Sequence, residues 1–287
     1  MLRIAGVIAA ALILAGAAAV AIGSYAWRRA TARRLDLLAD HARLRTGDAS
    51  PSFRRADVAG LPAPVVRYFA FALAEGQRRI RTARIRWDGE MRLQPNAAWS
   101  PFTAEQRFTA RPPGFVWDAA VRMIPALPVR VRDSYVGGEG QMLARVGGVA
   151  TVVNEGGTRE MAESALARWL GEAAWFPTAL LPGEGVSWEA IDDSTARATV
   201  TDGPRRLSAE FHFAATGEIL TMTAMRYRDV KGRGVLTPFV GRYERFERRR
   251  GVMIPTSAEV AWVLPEGPFA YWRGRSTQVD YDYEPTR

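Results

Sequence analysis

The sequence predicts a mainly β protein with some α structure, in which an N-terminal transmembrane helix precedes an antiparallel domain of about ten strands. An uncharged apolar stretch, Ile4 to Ala26, opens the chain. Alternating polar and apolar residues then fill much of the remainder, with glycine-containing turn signals between the runs. We therefore expect a transmembrane anchor at 1–27, a membrane-proximal helix and linker at 28–59, and the β domain at 60–284.

The opening apolar stretch is long enough to cross a membrane. Its 23 residues would extend ~34 Å as a helix, against ~30 Å for the hydrocarbon core of a bilayer. An aromatic and cationic collar typical of a membrane interface follows it. The collar consists of Trp27, Arg28, Arg29, Arg33 and Arg34. The membrane is accordingly the first expected partner, reached through this helix.

A cleaved signal peptide is the alternative interpretation of the same stretch. Arg3 would supply its basic start, and Ala17–Ala19 resembles a cleavage site of small residues. The stretch is longer than the apolar region of ~7–15 residues in such peptides, which favours an uncleaved single-pass anchor in the inner cell membrane. The arginines after the span place the C-terminal domain in the cytoplasm by the positive-inside rule. The absence of cysteine fits either side.

The net charge of +9 does not indicate a nucleic-acid partner. Five of the 39 basic residues lie in residues 1–34, where no acidic residue occurs, so the remainder carries 34 basic against 30 acidic residues. The sequence contains no basic helix, zinc-finger spacing or aromatic RNA-binding motif. We expect no binding of nucleic acid.

Strict alternation of polar and apolar residues predicts strands with one solvated face. In the segment 84–93, Ile85, Trp87 and Met91 point to one side and the charged residues to the other, because successive side chains leave a strand on opposite sides. The alternation recurs in four further segments: 129–135, 142–146, 210–213 and 279–284. Their spacing favours one antiparallel meander connected mostly by hairpins.

One helix is expected to interrupt the sheet between Thr158 and Pro177. Thr158 suits the N-cap, Glu160 lies in the favourable first turn, and proline ends the element. Its apolar residues recur at helical spacing, whereas its charged residues are expected to stay in solvent. These charged residues are Arg159, Glu163, Arg168 and Glu172. The apolar segment 175–183 that follows is interpreted as a plug at one end of the sheet, with a lid over a pocket as the alternative.

Several segments resemble an uncharacterised group of bacterial membrane-anchored proteins whose β region is similar to the lipoprotein-carrier (Lol-type) half-barrel. The segments are Leu61–Phe69, Ala179–Gly183 with Trp188–Asp193, Phe213–Ile219 and Ile254–Trp262. The resemblance implies an antiparallel half-barrel at 60–284, wrapped around one or two helices, with an apolar cavity suited to acyl chains. Carriers of this kind work outside the cytoplasm, which conflicts with the arginines after the anchor, so the side of the membrane is left open.

No motif indicates catalysis, a metal or a cofactor. His41 and His212 lack neighbours at metal-ligand spacing, and cysteine is absent. No serine lies in a Gly-x-Ser-x-Gly elbow. Asp280 and Asp282 share a strand face, which would suit Ca²⁺ binding or acid–base chemistry, but a solvated strand face explains the same pattern and is favoured. The sequence therefore predicts no catalytic residue, no metal and no cofactor.

The aromatic residues are the remaining signal, because bulky apolar side chains line ligand cavities as well as cores. The expected ligand-binding residues are Trp117, Tyr135, Trp175, Phe176, Phe211, Phe213 and Trp262. The favoured hypothesis is a non-catalytic, membrane-tethered binding or carrier module for a lipid-like or other hydrophobic ligand. The alternative is a structural or interaction domain of the cell envelope that has no cavity and contacts an envelope protein. An enzyme is the third hypothesis, without support from residue spacing.

Overall fold

A computed structural model describes residues 2–43, 52–124, 127–183 and 185–285. Its helices are α1, Leu2–Arg43, α2, Ala63–Ala72, and α3, Arg159–Glu172. Short 3₁₀ turns occupy Arg55–Val58, Ala173–Trp175 and Pro177–Leu180. The start of the linker expected before residue 59, at 49–51, lies outside the described residues.

Thirteen antiparallel strands form one sheet. The strands are β1, Ile80–Met91; β2, Ser100–Thr109; β3, Gly114–Ile124; β4, Leu127–Val136; β5, Glu139–Val146; β6, Ala150–Gly156; β7, Val186–Ala190; β8, Thr195–Asp202; β9, Arg205–Phe213; β10, Ile219–Val230; β11, Arg233–Arg249; β12, Val252–Leu264; and β13, Gly267–Tyr283. Their order in the sheet is β6-β5-β4-β3-β2-β1-β13-β12-β11-β10-β9-β8-β7.

The pairing of β1 with β13 joins two meanders into this curved sheet. The two edge strands, β6 and β7, follow one another in the sequence, and α3 lies in the connection between them. Because α3 contacts β3, β4, β5, β6, β9 and β10, it bridges the two halves on the concave side. The architecture is the predicted half-barrel with an enclosed helix.

The sheet has more strands than the approximately ten predicted. Two of the strands that the alternation does not predict are the edge strands β6 and β7. Six of the seven residues of β6 are exposed, and β7 has only five residues. An edge strand that buries little on either face has no period-two pattern of apolar residues to detect.

Alternation in the central strands is as the sequence predicts. In β1, Ile85 and Trp87 are buried in the core, whereas Arg86 and Asp88 are exposed on the outer face. Core aromatic rings contact one another edge-on, as Trp87 and Trp175 do with ring centroids 5.0 Å apart. Aromatic burial of this kind is a major part of core stabilisation.

The second half of α1 packs on the outer face of the sheet. Leu38 is buried against Val116 and Val136, and Leu35 packs against the same cluster. Trp27 is 1% exposed, so it is not the interfacial collar residue that the sequence suggested. Its indole lies under the sheet side chain Arg132, whose guanidinium carbon is 5.0 Å from the ring centroid.

The helix α3 begins as the sequence predicts. The Thr158 hydroxyl oxygen accepts a hydrogen bond from the Met161 amide at 3.1 Å, and Glu160 lies in the first turn. The segment that follows α3 is buried, with Phe176 and Leu181 fully enclosed. Its burial agrees with the interpretation of a plug.

Candidate functional site

A cavity of about 640 Å³ lies between the concave face of the sheet and α3. Its volume falls within the range of ~300–1,000 Å³ that is usual for small-molecule sites. The lining comes from both meanders and from the helix. The lining residues include Trp87, Met91, Leu93, Trp117, Met123, Ile124, Val129, Val131, Met142, Ala144, Val146, Val152, Val153, Met161, Ala165, Arg168, Trp175, Arg226, Phe239, Tyr243, Val260, Trp262, Tyr271 and Trp272.

The wall of the cavity is predominantly apolar, and aromatic rings form its rigid part. Trp87 contacts Trp272 edge-on with the ring centroids 5.5 Å apart, and the ring centroids of Trp175 and Tyr243 are 5.7 Å apart. Methionines on β1, β3, β5 and α3 contribute flexible thioethers to the same wall. Such a combination adapts to ligands of varied shape, because methionine fills irregular gaps.

Three of the predicted ligand-binding residues line this cavity: Trp117, Trp175 and Trp262. The other four lie in the core outside the lining. Phe176 packs against Phe108 at 4.7 Å, and Phe211 and Phe213 lie beside Trp188. Tyr135 donates a 2.5 Å hydrogen bond to Asp202. Ligand contact by the three tryptophans remains a prediction, whereas these four residues are placed to stabilise the core.

One wall of the cavity carries a buried ion network that was not among the expected site residues. Nη1 of Arg168 lies 2.6 Å from Oδ2 of Asp133, and Nε donates to Glu172 at 3.0 Å. Gln106 donates to the second oxygen of Glu172 and accepts from the indole of Trp87. Arg168 and Glu172 were expected in solvent, but their side chains are 16% and 17% exposed.

The network keeps a cation inside an otherwise apolar wall. Burial alone would lower the pKa of Arg168, but attraction to Glu172 and Asp133 outweighs it and holds this pKa above its ordinary value. Burial raises the pKa of Glu172, and the interactions with Arg168 and Gln106 offset only part of that effect. The i,i+4 spacing of Arg168 and Glu172 was visible in the sequence. Their inward orientation depends on Asp133, which lies on a distant strand.

A second guanidinium, that of Arg226, lies against the opposite aromatic wall. Its Nε donates a 3.1 Å hydrogen bond to the Ser164 carbonyl, and its Cζ is 4.7 Å from the Phe239 ring centroid and 5.7 Å from that of Trp262. Within the described part of the chain, no carboxylate forms an ion pair with Arg226. A guanidinium without a carboxylate partner suits an anionic group of a ligand.

The cavity opens at the end of the sheet where β1 and β3 finish and β6 begins. Leu93, Ile124 and Val152 line it and are also 67%, 41% and 58% exposed. The opening therefore has exposed aliphatic side chains at its rim, and the exposed carboxylates Glu155 and Asp229 also line the cavity. Across the residues that the structure describes, no group of three or more metal-ligating side chains is found.

Comparison with solved structures finds similar folds at low identity. A LolA superfamily protein from Nitrosomonas europaea is 12% identical, with a TM-score of 0.43; the match covers 79% of this chain and 96% of that chain. A DUF1329 family protein from Desulfovibrio piger is 10% identical, with a TM-score of 0.42; the match covers 72% of this chain and 88% of that one. No curated protein matches the sequence.

A family of unknown function, DUF6920, matches residues 59–281, which is most of the chain and includes every residue that lines the cavity. Membership of an uncharacterised family is what the sequence resemblance indicated. The chain belongs to the DUF6920 family.

Proposed function

We propose that this protein is a membrane-tethered binding or carrier module for a lipid-like ligand, without catalytic activity. The observation that carries the proposal is the cavity of about 640 Å³, lined by tryptophan, methionine and aliphatic side chains and open at an apolar rim. Burial of a ligand's apolar surface against such walls contributes a favourable free energy of about 25 cal/mol per Å².

Three arginines line the cavity, Arg168, Arg226 and Arg228, and the first two differ in whether a carboxylate neutralises them. Arg168 is neutralised by Asp133 and Glu172, so it has little capacity for another anion. Arg226 forms no such pair with any described residue, and it lies between the aromatic wall and α3. The ligand that fits best is an amphiphile whose anionic group contacts Arg226 while its apolar chain contacts the tryptophans and methionines.

The tether is the apolar part of α1. The described residues contain one helix long and apolar enough to cross a membrane, and its most apolar window is not buried in the protein. A signal sequence near an N-terminus has the same properties. We favour the anchor because the same helix continues to Arg43 and packs on the sheet, so the folded domain uses it as a structural element.

The proposal is tested by photocrosslinking on the full chain in lipid nanodiscs. The probe is a long-chain fatty acid that carries a diazirine in its chain, and crosslinked peptides are mapped by mass spectrometry. Crosslinks to β3, β5 and α3 that an excess of unmodified fatty acid suppresses would support the cavity as the binding site.

A matched pair of variants makes this test specific. Ala144→Phe adds a ring at a buried position in the cavity wall, whereas Thr223→Phe adds the same ring at an exposed position on β10. We expect the first variant to lose crosslinking and the second to retain it. Absence of competed crosslinks in the parent protein would contradict the proposal and favour the structural or interaction domain of the envelope.

A further inference from the structure

We propose that the rim of the cavity is a membrane-contact surface, which enters the interfacial layer of the bilayer that α1 spans. The surface, here called the apolar rim, consists of the cavity-lining residues Leu93, Ile124 and Val152 and of Val149 in the adjoining β5–β6 turn. This inference rests on the membrane tether of the proposed function and extends it, because it fixes which end of the half-barrel faces the lipid. It follows from the height at which α1 touches the sheet.

The contact between α1 and the β5–β6 turn fixes that height. Gly23 lies so close to Gly148 that a Cβ added to Gly23 would stand 2.9 Å from the carbonyl carbon of Gly148. A Cβ on Gly147 would stand 3.5 Å from Val20 of the same helix. The backbone of the turn therefore rests on α1 within its apolar stretch, and before the arginines begin.

The rise per residue of an α-helix gives the depth of this contact in the bilayer. The segment from Ile4 to Gly23 extends about 30 Å at a rise of 1.5 Å per residue. The hydrocarbon core of a bilayer is also about 30 Å thick. When this segment fills the core, Gly23 and the turn that touches it lie at the boundary between hydrocarbon and head groups.

The side chains around that turn have the character of an interface. Val149 and Val152 are 49% and 58% exposed, and both belong to the β5–β6 hairpin. Tyr25 is 56% exposed on α1, and the guanidinium of Arg29 stacks 5.9 Å from its ring centroid. Exposed aliphatic, tyrosine and arginine side chains at one level are typical of a protein surface at the head-group layer.

The rim is continuous with the cavity, which gives the contact a consequence for function. Leu93, Ile124 and Val152 belong at once to the exposed rim and to the cavity lining. With the rim in the interface, a lipid passes between bilayer and cavity without exposing its chain to water. The bilayer is thus the occupant that the geometry favours over a second copy of the chain or an envelope protein.

The test uses site-specific fluorescence, which is simple because the chain contains no cysteine. Single cysteines replace Val152 and Ile124 at the rim, and Ala74, an exposed residue just before β1 at the opposite end of the sheet. A fourth cysteine replaces Ala15 in the apolar part of α1 and reports on the tether. Each full-length variant is labelled with an environment-sensitive dye and placed in phosphatidylcholine nanodiscs with or without a nitroxide near the top of the acyl chain.

We expect the nitroxide lipid to quench the dyes at residues 152, 124 and 15 and to leave the dye at residue 74 unchanged. Quenching at residue 15 alone would overturn the rim contact while leaving the tether intact. No quenching at any site would overturn both. A blue shift at residues 152 and 124 without quenching would overturn the bilayer as occupant, and would indicate a protein partner or a second copy instead. Ligand uptake is measured separately by the photocrosslinking above, so failure of binding and failure of the rim contact are distinguishable.

Discussion

The indole nitrogen of Trp27 donates a 2.8 Å hydrogen bond to Oδ1 of Asp118, and it joins residues that are 91 positions apart in the chain. The guanidinium of Arg132 lies over the same indole ring and donates to the Thr31 hydroxyl at 3.1 Å. Arg34 donates to Ser134 at 3.1 Å one turn further along the helix. These contacts make the second half of α1 part of the folded domain, so α1 has a fixed orientation relative to the half-barrel.

Replacement of Trp27 by phenylalanine tests this docking. Trp27→Phe keeps a ring beneath Arg132 but removes the donor and leaves Asp118 without that hydrogen bond, at a cost of about 1–3 kcal/mol. We expect faster amide exchange in the second half of α1 in nanodiscs. Leu37→Ala, at a position that is 53% exposed on the same helix, serves as the control and should leave exchange unchanged. Equal exchange in both variants would contradict the docking.

The same contact predicts a dependence on pH. Burial raises the pKa of Asp118, and the hydrogen bond from Trp27 with the charges of Arg130 and Arg132 offsets only part of that effect. Docking therefore favours the protonated carboxyl. The contribution of Asp118 to the stability of docking is complete below the ordinary aspartate pKa of about 3.9. It is lost as pH rises through the raised pKa of Asp118 in the docked state.

Asp118→Asn isolates this effect, because the amide oxygen still accepts from Trp27 but does not titrate. We expect amide exchange in the docked part of α1, corrected for its intrinsic pH dependence, to rise in the parent protein as pH increases above the ordinary aspartate pKa of about 3.9. The variant should show a flatter profile. Parallel profiles would show that Asp118 has the same pKa in the docked and undocked states.

Residue patterns within one helix or strand predict those parts of the fold whose burial depends on that element alone. Alternation identifies the inner residues of β1, and the N-cap at Thr158 identifies the start of α3, because each signal lies within one element. Trp27 shows where such reasoning fails. Its position after an apolar span is typical of a membrane collar, and only the distant partner Asp118 shows that it is buried under the sheet.

The site is predictable to a smaller extent for the same reason. Aromatic residues on inner faces are candidates for a cavity, but whether a ring lines the space or fills the core depends on packing between elements. Trp117 lines the cavity, whereas Phe211 and Phe213 pack with Trp188. Arg168 escapes notice because its face of α3 is charged, and a charged helix face ordinarily lies in solvent.

Removal of Arg168 tests the ion network. Arg168→Met leaves the buried carboxylates of Asp133 and Glu172 without a cation, and breaking a buried pair on one side costs about 3–5 kcal/mol. We expect a lower midpoint of unfolding of the β domain in urea. Arg159→Met removes an arginine from the same helix, but that side chain is 80% exposed, and the midpoint should not change. Similar midpoints in the two variants would contradict a structural role for the network.

Arg226 provides a test of the head-group assignment. Arg226→Met should weaken binding of a fluorescent fatty acid by about tenfold, which corresponds to about 1.4 kcal/mol and is close to the value of a hydrogen bond to a charged group. Binding of the matching fatty alcohol should change little, since that ligand has no negative charge. Arg206→Met, at an exposed position on β9, is the control for net charge. An equal loss for acid and alcohol would show that Arg226 only shapes the wall.

Gly16 and Gly23, two of the glycines of α1, have different surroundings and provide a final prediction on the orientation of the domain. Gly23→Leu introduces a side chain whose Cβ would lie 2.9 Å from the Gly148 carbonyl carbon, whereas a Cβ at Gly16 would have no atom within 4 Å. Both variants add the same apolar side chain to the same apolar stretch, so membrane insertion should be equal. We expect only Gly23→Leu to separate the helix from the β5–β6 turn.

Crosslinking of the full chain in nanodiscs measures that separation. Cysteines at Tyr25 and Val149, which are 56% and 49% exposed, are joined by a short bis-maleimide in each glycine background. The yield should fall in the Gly23→Leu variant and stay at the parent level in the Gly16→Leu variant. Because the turn borders the cavity mouth, a loss of crosslinking should coincide with slower uptake of a fluorescent fatty acid from the bilayer. Unchanged uptake in a separated domain would mean that the mouth does not depend on α1 for its position at the membrane.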